Sequence, residues 1–511
     1  MACSSNDMVY SWLSMLLVAA ASCVIFTLSV ALLSRRSRDI RLPPGPPALP
    51  ILGHIHKLGP HPHKSLQKLS STYGPLMFLR FGSRPLIVAS SPEMAREILQ
   101  KQDQNFSWRF EISVHKVLHS CSTIVFSQPG TYWRSIRQIC AVELFAPMRL
   151  RMFQPIITEE VRSMLRSIDA DGHHRICIRP KLYAASSNII SRMSLGKKLE
   201  DIGEKSSVND SSYLTNLLVE VIHLVGVFNI SDFVPWLAWL DLQGCEHKSK
   251  KLSVKLQKVW KNILDERRHY RKSRPSGQKD SDFLDTLLSA SETKDLQITD
   301  ENIRAILFDI FAGGIDTSAI TVEWALAELI SHPSKMKRVQ DEIDQLVRAS
   351  RLVQLEDIQC LPYFEAVIKE TMRLHPVTPF LVPHMAKHDC RIGEFDIPAN
   401  TQAYINVWAM GRDETIWKNP LDFSPERFLD SDMDIRGHHF ELLPFGSGRR
   451  ACPGMLLGIN NVNMMLASLV QGFDFVADQK IDKAEKFGIV MSLESPLAVK
   501  ASRRISSHLL E

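Results

Sequence analysis

From Met8 to Ser34 the chain runs without a charged residue, through Leu16-Leu17-Val18-Ala19-Ala20-Ala21 and Val24-Ile25-Phe26. As a helix this run spans about 40 Å, more than the ~30 Å hydrocarbon layer of a bilayer requires. Asp7 precedes it, whereas Arg35, Arg36, Arg38 and Arg41 follow, an asymmetry that keeps the C-terminal side in the cytosol. A cleaved signal peptide wants a basic start and an apolar stretch of about 7–15 residues, so the pattern predicts one retained membrane anchor over 1–34. Five prolines between residues 43 and 50 exclude helix and favour a stiff, extended connector. Residues 35–54 then form a basic, proline-rich hinge, and 55–511 the globular part. Within it, Leu76–Phe81 and Pro85–Ala89 about Gly82-Ser83-Arg84 predict a hairpin, and Ser91-Pro92-Glu93 opens a helix. Apolar residues three and four apart through 133–170, 213–228, 250–270 and 300–331 predict helices, with strand-like stretches near 390–406 and 488–500. The basic stretch Arg267–Lys279, with Pro275-Ser276-Gly277, reads as a solvated connector. No internal repeat is present, and the fold class is mainly α with small β-sheets (α+β).

The helix over 300–331 departs from an ordinary apolar stripe. Thr299 caps it, Asp300 and Glu301 complement its first turn, and Pro333 ends it. Gly313-Gly314 in its middle costs about 1 kcal/mol per residue relative to alanine. A close helix crossing would explain the glycines alone. Ile315-Asp316-Thr317-Ser318 follows them, however, and small residues beside an acid and a hydroxyl leave room for something to bind against the helix.

Composition narrows the function without naming it. The 511 residues are 45% apolar and 23% charged, an ordinary globular balance that excludes a disordered or multi-span protein. The formal charge of +5 is weak and no Lys/Arg-rich module stands out, which argues against a nucleic-acid partner. None of the nine cysteines forms a Cys-x-x-Cys pair, so a zinc site, a redox dithiol and a disulfide framework lack support, and most read as buried reduced thiols.

Cys452 is the exception. In Pro444-Phe445-Gly446-Ser447-Gly448-Arg449-Arg450-Ala451-Cys452-Pro453-Gly454, two glycines let the backbone turn tightly and approach a flat object. Backbone amides and a following helix N-terminus favour the Cys452 thiolate, and Arg450 offers a forked donor to a carboxylate. The combination describes an axial thiolate with a propionate clamp.

With these residues the chain resembles the cytochrome P-450 family of haem-thiolate monooxygenases over nearly everything after residue 42. The family pattern Phe-x-x-Gly-x-Arg-x-Cys-x-Gly matches as Phe445, Gly448, Arg450, Cys452 and Gly454. The resemblance implies the cytochrome P-450 fold and a b-type haem, its iron ligated by Cys452 and its ring seated on Phe445, Gly446, Gly448 and Gly313. It further implies that Trp133, Arg137, Arg450 and His384 meet the haem propionates. Glu370 and Arg373 match the family's Glu-x-x-Arg, which Arg427 of Pro425-Glu426-Arg427-Phe428 completes as a structural triad. Asp316 and Thr317 fall in the proton-relay positions, where an acid and a hydroxyl deliver protons to bound oxygen. O2 is then the co-substrate, with electrons passing from NADPH through NADPH–cytochrome reductase, and cytochrome b5 as a possible second donor.

The linker, the thiolate loop and Thr321–Leu329 are similar to plant microsomal members that hydroxylate phenylpropanoids, flavonoids and terpenoids, enzymes of the endoplasmic reticulum membrane facing the cytosol. The chain departs from that group at Phe106-Ser107-Trp108-Arg109-Phe110 and around 488–497, both substrate-contact regions, so the substrate stays open. Phe308, Phe311, Gly313, Val377, Phe380 and Leu381, roofed by Phe106, Trp108 and Phe110, are the candidate pocket. An apolar lining favours a small neutral substrate, since a charged one loses hydration without a partner. Arg109 is the permanent cation nearby and matches a structural position. Two alternatives remain open: a haem-thiolate isomerase or dehydratase without a reductase, against which Asp316-Thr317 counts, and a catalytically silent membrane haem protein.

Overall fold

The computed structural model describes residues 40–119, 122–172, 174–202, 213–273, 282–292, 298–348 and 350–510. The anchor expected at 8–34 lies outside the described residues, as does Pro275-Ser276-Gly277. Along the chain run α1 (Pro62–Tyr73), β1 (Leu76–Phe81), β2 (Arg84–Ala89), α2 (Ser113–His119), α3 (Thr131–Glu143) and α4 (Pro147–Ala170). Next come β3 (Arg175–Cys177), α5 (Ile178–Leu195), α6 (Tyr213–Val225), α7 (Cys245–Lys272), α8 (Asp300–Ser331), α9 (Pro333–Val347) and α10 (Pro362–Leu374). The last part contributes β4 (His384–Met385), β5 (Gln402–Ile405), α11 (Met455–Gly472), β6 (Phe473–Val476) and β7 (Ala498–Arg503).

β1 and β2 pair as an antiparallel hairpin with Leu76 opposite Ala89, and β5 joins β2 in parallel, giving the sheet order β1-β2-β5-β4. A second sheet, β3-β7-β6, is antiparallel. The proline-rich segment is extended but not free. Phe78 donates its N–H to the Pro44 carbonyl at 2.8 Å, and His54 bridges the Pro46 carbonyl and the backbone of Arg80, so the segment is laid along β1.

α8 is the axis of the helical part. Thr299 and Asn302 form a reciprocal capping box at its start, and its flanks are covered by α5, α10 and α11. Composition alone would let it cross a membrane, yet most of its surface is buried within the protein. Its paired glycines do different work. A Cβ on Gly314 would strike the Ile190 side chain of α5 at 2.4 Å, so Gly314 is the close helix crossing. A Cβ on Gly313 would meet nothing within 4 Å.

The basic connector needs correcting. Arg267 to Lys272 is the last turn and a half of α7, and Arg267 is half-buried, paired with Asp282 at 2.5 Å and Asp285 at 3.3 Å. Of the described cysteines, Cys140 and Cys245 are buried, whereas Cys177 and Cys360 are exposed.

Candidate active site

The loop from Phe445 to Gly454 closes on itself, with the Cys452 N–H donated to the Phe445 carbonyl at 2.9 Å. Gly448 has φ +71°, and a Cβ there would lie 2.0 Å from the Leu99 carbonyl oxygen, so no other residue fits. Gly454 caps α11, which places the Cys452 thiol beside the helix N-terminus. Burial pushes the thiol's pKa up, while the Gly454 N–H and Arg137 draw it down. The side chain nevertheless presents accessible surface, so it opens onto internal space rather than packing as core.

Around that space stand three guanidinium groups. Arg450 donates to the carbonyls of Ser107 (2.7 Å), Ile124 (3.2 Å) and Ser127 (2.5 Å). Arg109 donates to Val125 at 3.1 Å and to Val382 and Pro383 at 2.6 Å, and Arg137 reaches the Ala451 carbonyl. The Trp133 ring lies between Arg450, 4.1 Å from its centroid, and Arg137, 5.5 Å away. Burial first, then the neighbouring arginines, lowers the pKa of Arg109 and of Arg450, the latter to about 9. His384, its Nδ1 2.8 Å from the Phe106 carbonyl, is held well below its ordinary value by burial and Arg109. Among the described residues no carboxylate pairs with any of the three arginines. A guanidinium does not give up its proton, so the cluster calls for anions from outside the chain. A planar group with two carboxylates, seated between Gly313 and Cys452, fits that demand, and this is the chemistry of haem propionates.

Trp133 donates its indole N–H to Ile124 at 3.0 Å, so it holds the loop and stacks on the arginines. Two further residues enter the same assembly: Arg109, which the sequence reading put near the pocket only as a structural cation, and Asp309, which it did not name. Arg109 completes the cation cluster. Asp309, one turn before Gly313, accepts the Val125 N–H at 2.9 Å and ties the loop carrying the Ile124, Val125 and Ser127 carbonyls to α8; burial lifts its pKa to about 7.

On α8, Thr317 donates its hydroxyl to the Gly313 carbonyl at 2.7 Å and shares the Gly313 face. Asp316 is buried and leans toward Tyr183 and Arg179 of α5; burial raises its pKa to about 6, against the lowering effect of the Tyr183 hydrogen bond and Arg179. Below the Cys452 loop, Glu370, Arg373 and Arg427 meet. Arg373 pairs with both Glu370 oxygens at 2.6 and 2.8 Å, and Arg427 adds a third contact at 3.1 Å. Both members of the Glu370–Arg373 pair are fully buried.

The candidate pocket residues fall in different places. A 390 Å³ cavity is lined by Phe110, Phe380 and Leu381 together with Phe126, Phe233 and Phe487. Leu381, at φ +53°, turns its side chain to within reach of Gly446, which joins this wall to the Cys452 loop. Phe106 is not a roof residue: it is fully buried among Leu76, Ile87 and Ile98 behind the sheet. Trp108 lies in a separate surface cleft with Lys387 over its ring at 4.2 Å. Phe308 and Phe311 are core, about 140° and 160° round the helix from Gly313 at 100° per residue, with Phe311 edge-on to Trp260. Val377 packs against the main core, its carbonyl accepting the Met491 N–H.

Comparison with known proteins agrees with this arrangement. The cytochrome P-450 family model matches residues 43–501. The chain is 38% identical to cytochrome P-450 76C2 of Arabidopsis thaliana over 90% of this chain and 92% of that one. It is 37% identical to flavonoid 3'-monooxygenase of Petunia hybrida (93% and 94% covered) and 37% identical to geraniol 8-hydroxylase of Catharanthus roseus (91% and 94%). A zebrafish cytochrome P-450 solved with abiraterone superposes with TM-score 0.73 at 26% identity, covering 87% of this chain and 100% of that one. A thiol loop ringed by unpaired arginines and a long helix with paired glycines, on a fold and a sequence shared over almost the full length, place the chain in the cytochrome P-450 family, as a monooxygenase with a cysteine-ligated haem.

Proposed function

We propose that this monooxygenase is anchored in the endoplasmic reticulum membrane with its catalytic part in the cytosol. It inserts one oxygen atom of O2 into a small neutral apolar metabolite of the phenylpropanoid, flavonoid or terpenoid kind. The observation that carries the site assignment is the accessible Cys452 thiol set against three arginines that lack an acid partner among the described residues. Cys452 would hold the haem iron, and Arg450, Arg137, Arg109 and His384 would hold its propionates, with the Trp133 ring beside two of the guanidinium groups. When bound, the haem supplies O2 binding and O–O cleavage, which a thiolate ligand favours. Gly313, where a Cβ would meet nothing within 4 Å, would leave room for a flat ring against α8. Thr317 and Asp316 hold and pass the protons that oxygen activation consumes.

The substrate class draws support from two directions. Relatives bear the names flavonoid 3'-monooxygenase and geraniol 8-hydroxylase, and the cavity beside the Cys452 loop is walled by aromatic rings. An aromatic or polycyclic substrate gains burial and ring contacts there. Membrane placement follows from the 1–34 anchor, the 35–54 hinge and the exposed apolar residues that continue from it. Ile51, Leu52, Trp236 and Trp239 are exposed, and the β1–β2 turn contacts both segments, through Gly82 to Leu52 and Ser83 to Phe233. Electrons come from NADPH through a separate reductase, with cytochrome b5 as a second donor.

Reduced protein with carbon monoxide should show the red-shifted Soret band of thiolate ligation, and Cys452→Ala should lose it. An unchanged band in that variant would end the axial assignment. Substrate-induced spectral shifts should rank neutral flavonoids and terpenoids above small charged acids, and the reverse order would end the substrate reading.

A further inference from the structure

Two helix faces look onto a space apart from the Cys452 loop. On α5, Tyr183, Ala184, Ser187 and Asn188 recur three and four apart, and on α6 Asn216, Val219 and His223 do the same. With the segment 486–492 they enclose a cavity of about 850 Å³, against 390 Å³ for the aromatic cavity beside the Cys452 loop. Small-molecule sites run from about 300 to 1,000 Å³, so this space has the size of a binding site.

Its wall is made to hydrogen-bond an uncharged group. Ser187 is 3% exposed and its hydroxyl has no partner in the protein; Asp316 is 8% exposed and its Oδ1 has none either. Buried polar atoms are seldom left unpaired, so two on one wall call for a partner from outside. The half-buried Arg179 is taken up by Glu323 and the Leu493 carbonyl, both at 2.8 Å, while His223 and Lys486 are exposed. The inner wall therefore offers an anion no free cation among the described residues. Ala184, Val219 and Ile320 stand among the polar groups. Hydroxyl, amide and aliphatic patches in alternation match a polyol, whose hydroxyls and C–H faces alternate in the same way.

The two cavities are neighbours. The turn 226–228 after α6 and the tip 487–489 line both. These two leaves meet closely, since a Cβ on Gly226 would lie 2.8 Å from the Ile489 nitrogen. Among the described residues no hydrogen bond joins them. The tip is held at its ends instead. Glu485 accepts from Lys64 at 2.8 Å and Trp408 at 2.7 Å, and the Met491 N–H reaches the Val377 carbonyl at 2.8 Å. A partition closed by van der Waals contact alone can part around a single bond.

We propose that the two cavities form one bipartite substrate site, in which the α5–α6 cavity takes a neutral, sugar-like polyol unit joined to the apolar part. The inference rests on the aromatic cavity holding that apolar part, as proposed above, and adds the chemical class of what is attached to it. Ser187 is the specificity-determining residue for the polyol, and Ala184 leaves the room it needs.

The test titrates full-length, haem-loaded protein in bilayer discs with a flavanone and with its monoglucoside, reading the haem spectral shift and the heat of binding. The monoglucoside should bind about tenfold tighter than the aglycone, the effect of one or two added hydrogen bonds. Ser187→Ala removes a hydroxyl that bonds nothing in the protein, so the fold is kept, and it should weaken the monoglucoside roughly fivefold. Ala184→Leu fills the cavity from an exposed position of α5 and should erase the whole gain. Both variants should leave the affinity for the aglycone unmoved. If the aglycone binds but the monoglucoside binds no tighter, or if Ala184→Leu leaves the gain intact, the cavity holds water only and the inference is overturned. If neither probe binds, the substrate class proposed above falls, and the bipartite site falls with it.

Discussion

Two opposed pulls act on the Cys452 proton, burial against the Gly454 amide and Arg137, and burial is the larger. A lasting thiolate there depends on a cation held at the sulfur, which the iron supplies. Thr317 sits across the site and touches none of this loop, so its loss should spare haem content. Thr317→Ala is expected to keep the carbon monoxide spectrum while diverting NADPH electrons to peroxide, read as the ratio of peroxide formed to NADPH consumed. Full coupling in that variant would remove Thr317 from the relay. The thiol loop was legible in the sequence because its residues stand at fixed short offsets. Asp309 was not, and Arg109 was read only as a structural cation, since what recruits them is the carbonyls and amides of residues 123–127 and 382–383, and a carbonyl leaves no mark on the side-chain pattern. Phe106, Trp108, Phe308 and Phe311 show the opposite failure: segments correctly near the site, side chains on the wrong face. Helix arithmetic from Gly313 would have rejected the last two.

At the scale of elements, long helices were readable from their spacing and caps, α8 from Thr299 to Pro333 most completely. β3, β4 and β6 were not, because runs of two to four residues are too short for alternation to register. The connector expected after Arg267 failed for another reason. Charge suggested solvent, but Asp282 and Asp285, further along the chain, come back to pair with the half-buried Arg267. The Glu370–Arg373–Arg427 triad holds α10 to the loop that leads toward Cys452, and the Ser424 N–H adds a fourth bond to Glu370 at 2.7 Å. Glu370→Ala strands a buried guanidinium, so unfolding by denaturant should show a loss of about 3–5 kcal/mol. A loss under about 1 kcal/mol would put the triad with ordinary surface pairs.

For the whole molecule, three formal glycosylation sequons, Asn105-Phe106-Ser107, Asn209-Asp210-Ser211 and Asn229-Ile230-Ser231, test the proposed cytosolic orientation. Asn229 is buried and Asn105 donates its amide to the His388 carbonyl at 3.0 Å, so a folded chain offers little at either position. Asn209, outside the described residues, is the sequon that can report. Full-length protein in microsomes should carry no glycosidase-sensitive mass, and a sensitive band would invert the orientation. The arginine cluster has a reach beyond the active site. Without haem the folded chain confines three cations together with no acid among the described residues to balance them, so haem is a counter-ion for folding as well as a reagent. Its removal should lower the melting temperature, and at a hundredfold excess over its dissociation constant haem should return about 2.7 kcal/mol. An unchanged melting temperature on removal would show the cluster to be balanced within the chain. A cell short of haem therefore accumulates less of this protein whatever its rate of synthesis, because chains lacking their counter-ions spend longer open to proteases.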